Sequence, residues 1–275
     1  MSAPHHVARH HRHMSISYPV SLHQRLYSFF LAPLIVLIGS VILFRFLGVP
    51  SAAGSSSLFS YPYLFGALGA TFARLLVAYG LALLLSLPLA ILVTHNALAE
   101  KIFLPVFDIM QSLPALAFFP IIIVFFIHWG FNDAAAVCIL FLSMLWNIVF
   151  SLVGGLHVIP EDIKDAGRIF GLRGWRYVQK ILLPASLPYL VTGSLLAFAQ
   201  GWNIVIVAEV LHTYLPGSTT AADLFGIGSI LVHTAAAGQN ENFIRAILVL
   251  TTAIALLNFF VWQKLLHYAE RFKFE

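Results

Sequence analysis

HVIPEDIKDAGRIFGLRGWRYVQKILLPASLP, residues 157–188, is the one long polar interruption in a strongly apolar chain. It holds five of the fifteen Lys and Arg (Lys164, Arg168, Arg173, Arg176, Lys180) and three of the eleven acids (Glu161, Asp162, Asp165). Of the 275 residues, 60% are apolar and only 9% charged, whereas a soluble domain carries roughly a quarter charged residues. Charge that sparse cannot cover a surface in water, which excludes a soluble protein with a greasy core and leaves an integral membrane protein. A spanning helix needs about 20 apolar residues, and it satisfies its own backbone in lipid. Long continuous apolar runs, rather than short alternating ones, argue for helices over a barrel. The fold class read here is all-α integral membrane, and the polar stretch is where such a chain meets something in water.

Locally, the stretch folds into a knob. Pro160 suits the first turn of a helix, where its missing N–H costs nothing. Glu161 and Asp162 complement the positive helix end. Residues 161–170 read as helix, Gly171 as its C-terminal cap, and Gly174 as a second turn. Trp175–Leu183 reads as a second short helix, ended by Pro184. The single Cys138, within an apolar run, allows no intrachain disulfide and no four-cysteine metal site.

Working outward, six spans are expected. The first covers about Tyr27–Leu47, with Arg45 near its far end, and a charge-free Gly/Pro/Ser-rich loop follows to Tyr61. The second covers about Phe65–Val93, carrying Arg74, which is costly against lipid and so is expected to face the bundle interior or an aqueous pocket. After a short polar loop at His95–Lys101, Pro105, Pro114 and Pro120 are expected to break the third into an interfacial piece ending near Ser112 and a span over about Leu113–Ile127. The fourth covers about Ala134–Gly155 and the fifth about Tyr189–Leu211. A long, mostly polar loop is expected over His212–Asn242, and the sixth span over about Phe243–Leu265. The domain reading is a His-rich cytoplasmic tail without fixed structure (1–25), a first helix and outer loop (26–64), a core (65–266) with the polar knob, and a short tail (267–275). With the N-terminus in the cytoplasm, twelve of the fifteen Lys and Arg fall on inner segments. By the positive-inside rule this puts both termini and the 157–188 knob in the cytoplasm of a multi-pass protein of the cell inner membrane. Residues 1–25 do not have the layout of a secretory signal. The histidines at 5, 6, 10, 11 and 13 offer metal ligands, but nothing near them fixes a coordination geometry, so this tract is read as a basic tail.

The spacing Asp165-Ala166-Gly167, three residues, Gly171, nine residues, Ile181-Leu182-Leu183-Pro184 closely resembles the EAA loop of ABC-importer permeases. It departs from that pattern in Asp165 for Glu and Gly167 for the second Ala. QSLPALAFFP (111–120), WNIVFSLVGGLHVIPED (146–162) and GWNIVIVAE (201–209) look like the nitrate, sulfonate and taurine branch of these permeases, and FVWQKLLHYAERFKFE (260–275) is similar to the tails of related anion-type components. The resemblance covers about residues 64–275. It implies a type I importer fold of six spans, with a cytoplasmic coupling helix between spans four and five. Glu161, Asp162, Asp165, Ala166, Gly167, Gly171 and Pro184 would then form the docking surface for a cytoplasmic ABC ATPase dimer. It also implies a second permease copy (identical or a close paralogue), an extracytoplasmic substrate-binding protein, surrounding lipid, and no nucleic acid. The solute implied is a small anion such as nitrate, a sulfonate or taurine, with a non-anionic solute as the alternative. No Gly-Lys dipeptide occurs, so the chain has no phosphate-binding loop of the G-x-x-x-x-G-K-[ST] type. ATP and Mg would bind the partner ATPase. This chain is expected to bind no cofactor or metal and to be no enzyme.

Polar residues inside spans are candidates for a solute path. They are Gln111 and Ser112 at the Pro-broken third span, Asn147 in the fourth, and Gln200, Asn203 and Glu209 in the fifth. Hydrogen bonding between helices is the competing role for Asn147, Gln200 and Asn203. Gly193 and Gly201 read as close-packing points, with an interface between two permease copies as a candidate place. Glu209 and His212, three apart, could share a helix face, but the other half of a di-metal pattern is missing, so Glu209 reads rather as ending the span near the outer interface. His128, His157 and His233 read as interfacial or loop residues. An intramembrane enzyme lacks support, since no G-x-S-x-G, H-E-x-x-H or paired intramembrane Asp motif occurs. A receptor or scaffold without transport is the other rival.

Overall fold

The computed structural model describes residues 60–214 and 220–272. The expected first span, its outer loop and the His-rich tail lie outside the described residues. Those described are all-helical, with no strand among them. Four helices are long and apolar enough to cross a membrane: α1 (Tyr61–His95), α4 (Asn132–His157), α6 (Trp175–Ala208) and α8 (Asn240–Phe272). Helix α2 (Ala97–Ser112) and the following segment Ala115–Phe126 meet at 84°, a fifth crossing if the bent pair counts as one span. Helix α3 (Phe119–His128) forms most of that second limb. The short α5 (Glu161–Ile169) and α7 (Ile227–Ala236) complete the set.

The expected loop at His95–Lys101 is nearly absent. Asn96 alone separates α1 from α2, and its side chain accepts from the N–H groups of Leu98 and Ala99, capping the new helix. Of the three prolines expected to break the next stretch, Pro114 does so. Leu113 is extended (φ −74°, ψ 131°), as a residue before proline prefers. Pro105 sits inside α2, and Pro120 falls in the first turn of α3, where no N–H is needed.

The largest difference from expectation lies after Gly174. The helix does not stop at Pro184. It runs from Trp175 to Ala208, joining the knob to the fifth span. Its Val178–Leu182 segment is a π turn, with the Leu183 N–H bonding to the Val178 carbonyl. Pro184 has no N–H for the Lys180 carbonyl, and the wider turn just before it lets the helix continue.

The core is built where α1, α4 and α6 meet. Leu75, Ala78 and Ala82 of α1, Ile139, Met144 and Ile148 of α4, and Ala197 and Val205 of α6 are buried there. Gly193 and Gly201 let the helices approach. A Cβ on Gly193 would stand 2.6 Å from Ser151 Cβ, and one on Gly201 would overlap Met144. Both glycines therefore pack within one chain, rather than between two copies. Helix α8 packs on α7 and, through Trp262 against Phe198, on α6, but only 11% of its most apolar stretch is buried, against 61% in α6.

The expected polar loop at 212–242 contains α7. Ile227, Ile230 and Leu231 are buried on it. Its glycines disguise a ten-residue apolar helix.

Candidate functional site

The knob forms one polar end of the molecule. Helix α5 begins after Pro160, with Glu161 and Asp162 in its first turn. It ends in a glycine cap: Gly171 adopts φ +67°, its N–H reaches the Arg168 carbonyl, and the Leu172 N–H reaches the Gly167 carbonyl at 3.0 Å. Glu161 pairs with Lys164 at 2.8 Å and Asp165 with Arg168 at 2.9 Å, each one turn along. The hydrogen bond from Lys164, more than its charge, holds the Glu161 carboxyl below its ordinary range. Asp162 and Asp165 are exposed, Ala166 and Pro184 are half-buried, and Gly167 is buried.

Gly167 explains one departure from the EAA pattern. A Cβ there would lie 3.0 Å from the Tyr177 ring and 3.1 Å from Ile181 Cγ1. Glycine lets α5 rest directly on the start of α6. Beyond the cap, Ile169, Phe170 and Trp175 are 84%, 81% and 60% exposed. This apolar tip was missed from the sequence; its signal was three large apolar residues flanking the Gly171 and Gly174 turns. Behind α5 opens a cleft of about 730 Å³, lined by Thr94, His95, His157, Lys164, Arg168 and Tyr177 among others.

At the opposite ends of α4 and α6 lies a polar cluster built on a buried ion pair. Arg74 of α1 is 2% exposed and Glu209, capping α6, is fully buried. Arg74 Nη1 donates to Glu209 Oε1 at 2.7 Å and to the Phe225 carbonyl at 3.0 Å, while Nε donates to Asp133 at 2.7 Å. Thr71 donates its hydroxyl to Glu209 Oε1 at 2.7 Å and accepts from the Ile227 N–H at 2.9 Å. The Gly228 N–H donates to Glu209 Oε2 at 2.8 Å. A Cβ on Gly226 would overlap this carboxylate. The glycines before and within α7 are the space the carboxylate occupies.

Glu209 was expected along a solute path. In this conformation it is instead enclosed by Arg74, Thr71 and Gly228, and it fastens α1, α6 and α7 together. It does not pair with His212 either. His212, Asp223 and His233 gather separately, with His233 on α7 rather than in a loop. Asp223 was not singled out from the sequence, because nothing links residues ten and eleven positions apart in an irregular segment.

The remaining path candidates do not form one cluster. Gln200 and Asn203 share an exposed face of α6 with Thr192, Leu196 and Ala199. Asn203 bonds back to the Ala199 carbonyl and Asn147 to the Ser143 carbonyl. Gln111 and Ser112 lie exposed beside the bend, Ser112 bonding to the Asp108 carbonyl.

A family model described as the binding-protein-dependent transport system inner membrane component matches residues 82–267. The chain belongs to that family. Similar proteins include a nitrate import permease protein of Leptolyngbya laminosa, 29% identical over 71% of this chain and 65% of its own length. A bicarbonate transport system permease protein of Synechococcus elongatus is 28% identical over 54% of this chain and 52% of its own. A glycine betaine/proline betaine transport system permease protein of Escherichia coli is 27% identical over 81% of this chain and 63% of its own. The chain thus spans between about half and two thirds of the length of these relatives. The matched region takes in the knob, the bent pair and Glu209, while Thr71 and Arg74 precede it, and it assigns the long apolar helices to a multi-pass membrane component.

Proposed function

We propose that this chain is the membrane-spanning permease subunit of an ATP-driven ABC importer. Six spans, the first over about Tyr27–Leu47, set both termini and the α5 knob in the cytoplasm. Helix α5 is the coupling helix: it seats on a separate ABC ATPase through Glu161, Asp162, Asp165 and the tip at Ile169, Phe170 and Trp175. Gly167, Gly171 and Pro184 shape the surface instead of touching the partner. ATP and Mg bind that partner, and this chain performs no chemistry on them. The observation that carries the reading is the tip itself. Phe170 is 81% exposed at the end of a polar helix in a member of this family, and large apolar residues left exposed together mark interaction sites.

A second copy of the permease, or a close paralogue, and an external binding protein complete the assembly. The solute is a small anion, as the names of the nitrate and bicarbonate relatives suggest. Arg74 is engaged by Glu209 and Asp133, so recognition along α6 falls to neutral donors such as Gln200 and Asn203. The betaine relative favours a second reading, a permease of the same build for a non-anionic solute.

The test is co-purification. Co-expressed with its ATPase, the chain captures two ATPase subunits per two permeases. Phe170→Asp abolishes capture and leaves the unfolding midpoint of the chain alone unchanged. A Phe170→Asp chain that captures the ATPase normally would overturn the coupling role. Calorimetry of the binding protein against nitrate, bicarbonate, sulfonates and betaines decides the solute.

A further inference from the structure

Asp223 presents an unusual arrangement. Its side chain is 2% exposed, yet two histidine rings converge on it. His212 Nδ1 lies 2.7 Å from Oδ2, and His233 Nε2 lies 2.6 Å from the same oxygen. The backbone N–H of His212 donates to Oδ1 at 2.9 Å, orienting the carboxylate. The three ligand atoms fall within 4.8 Å of one another. They come from three separate pieces of chain: the turn His212–Tyr214, the residue after the turn Thr220–Ala222, and helix α7.

We propose that His212, Asp223 and His233 form a binding site for a divalent transition ion of the zinc class. Two imidazole nitrogens and one carboxylate oxygen suit zinc, cobalt or nickel, and are poor ligands for magnesium or calcium, which take oxygen shells. Ligand atoms bound tetrahedrally at 2.0–2.2 Å stand about 3.3 Å apart, so the rings need to withdraw by only about 0.6 Å to admit the ion. The carboxylate is held from behind by the His212 N–H, as metal ligands commonly are. The rings are 26% and 34% exposed, so an ion reaches them from solvent. Once bound, it ties the end of α6 to α7 next to the Glu209 cluster. It acts as a clamp on the segment whose packing the ion pair begins.

The competing state is a triad of hydrogen bonds with both rings donating to Asp223 and no ion. The two are separable by direct binding. The five histidines at 5, 6, 10, 11 and 13 also offer nitrogen ligands, so the full-length chain carries glutamine at those positions and no histidine tag. Titrated with Co²⁺ in detergent, it binds one equivalent, with the visible absorption of a low-coordinate nitrogen/oxygen site. Zn²⁺ displaces the cobalt, and millimolar Mg²⁺ does not. His233→Gln and Asp223→Asn each lose the equivalent. Zinc also shields His212 and His233 from diethyl pyrocarbonate, read by peptide mass spectrometry on the chain with this site intact, so the assignment does not depend on a variant folding. Failure of that chain to bind cobalt, or a cobalt equivalent that survives His233→Gln, overturns the site.

Discussion

An arginine inside a membrane helix has to be neutralised, and at Arg74 Glu209 does it with Asp133 and the Phe225 carbonyl. Removing one member of a buried ion pair leaves the other charge stranded, at a cost of about 3–5 kcal/mol, whereas replacing both with apolar residues is often neutral. Arg74→Met is therefore expected to lower the unfolding midpoint in detergent sharply. Arg74→Met combined with Glu209→Met is expected to recover much of that loss. The recovery stays incomplete, because Thr71 and the Gly228 N–H lose their acceptor. A double variant no more stable than the single one would mean that the cluster is held by those hydrogen bonds, not by the ion pair. That Arg74 turns away from lipid was legible in the sequence, but the choice between a packed interior and an aqueous pocket was not. Nor were its partners legible: Asp133 and Glu209 lie 59 and 135 positions away, and no local periodicity connects them.

Helix α5 and its cap were readable nearly to the residue, because Pro160, the early acids and Gly171 are local signals with local causes. At Gly171, φ is +67°, so Gly171→Ala is expected to cost about 1–2 kcal/mol and to loosen the knob without touching the ATPase. Gly167 behaves differently. An added methyl meets the Tyr177 ring at 3.0 Å, tight but movable, so Gly167→Ala is expected to be tolerated. Gly167→Val is expected to push α5 off α6 and to reduce ATPase capture. If both variants captured ATPase at the parental level, direct contact between α5 and α6 would not govern docking. Elements failed to be legible where a stop signal was overridden. Pro184 reads as a helix end, but a π turn carries the helix past it. The glycines around α7 read as loop, but they are small in order to admit a carboxylate.

At the scale of the molecule, α6 leaves an uncovered stripe of Thr192, Leu196, Ala199, Gln200 and Asn203. Amide side chains gain nothing from lipid, so under the proposed function the stripe would face either a second copy or the solute. Gln200→Leu with Asn203→Leu separates the two. On the solute reading, the dimer with its ATPases forms normally while uptake falls by about tenfold or more, the scale of one or two lost hydrogen bonds. Loss of the dimer on gel filtration would assign the stripe to the interface. Helix α6 joins that stripe to both polar ends, with Trp175 in the exposed apolar tip and Ala208 beside Glu209. Its 34 residues make a rod about 50 Å long at 1.5 Å per residue. A tilt of about 5° swings the far end of such a rod by about 4 Å. The π turn at Val178–Leu182 and the helix-interior Pro188 both lie in the half of the rod nearer the knob, so any give in the rod is near the handle.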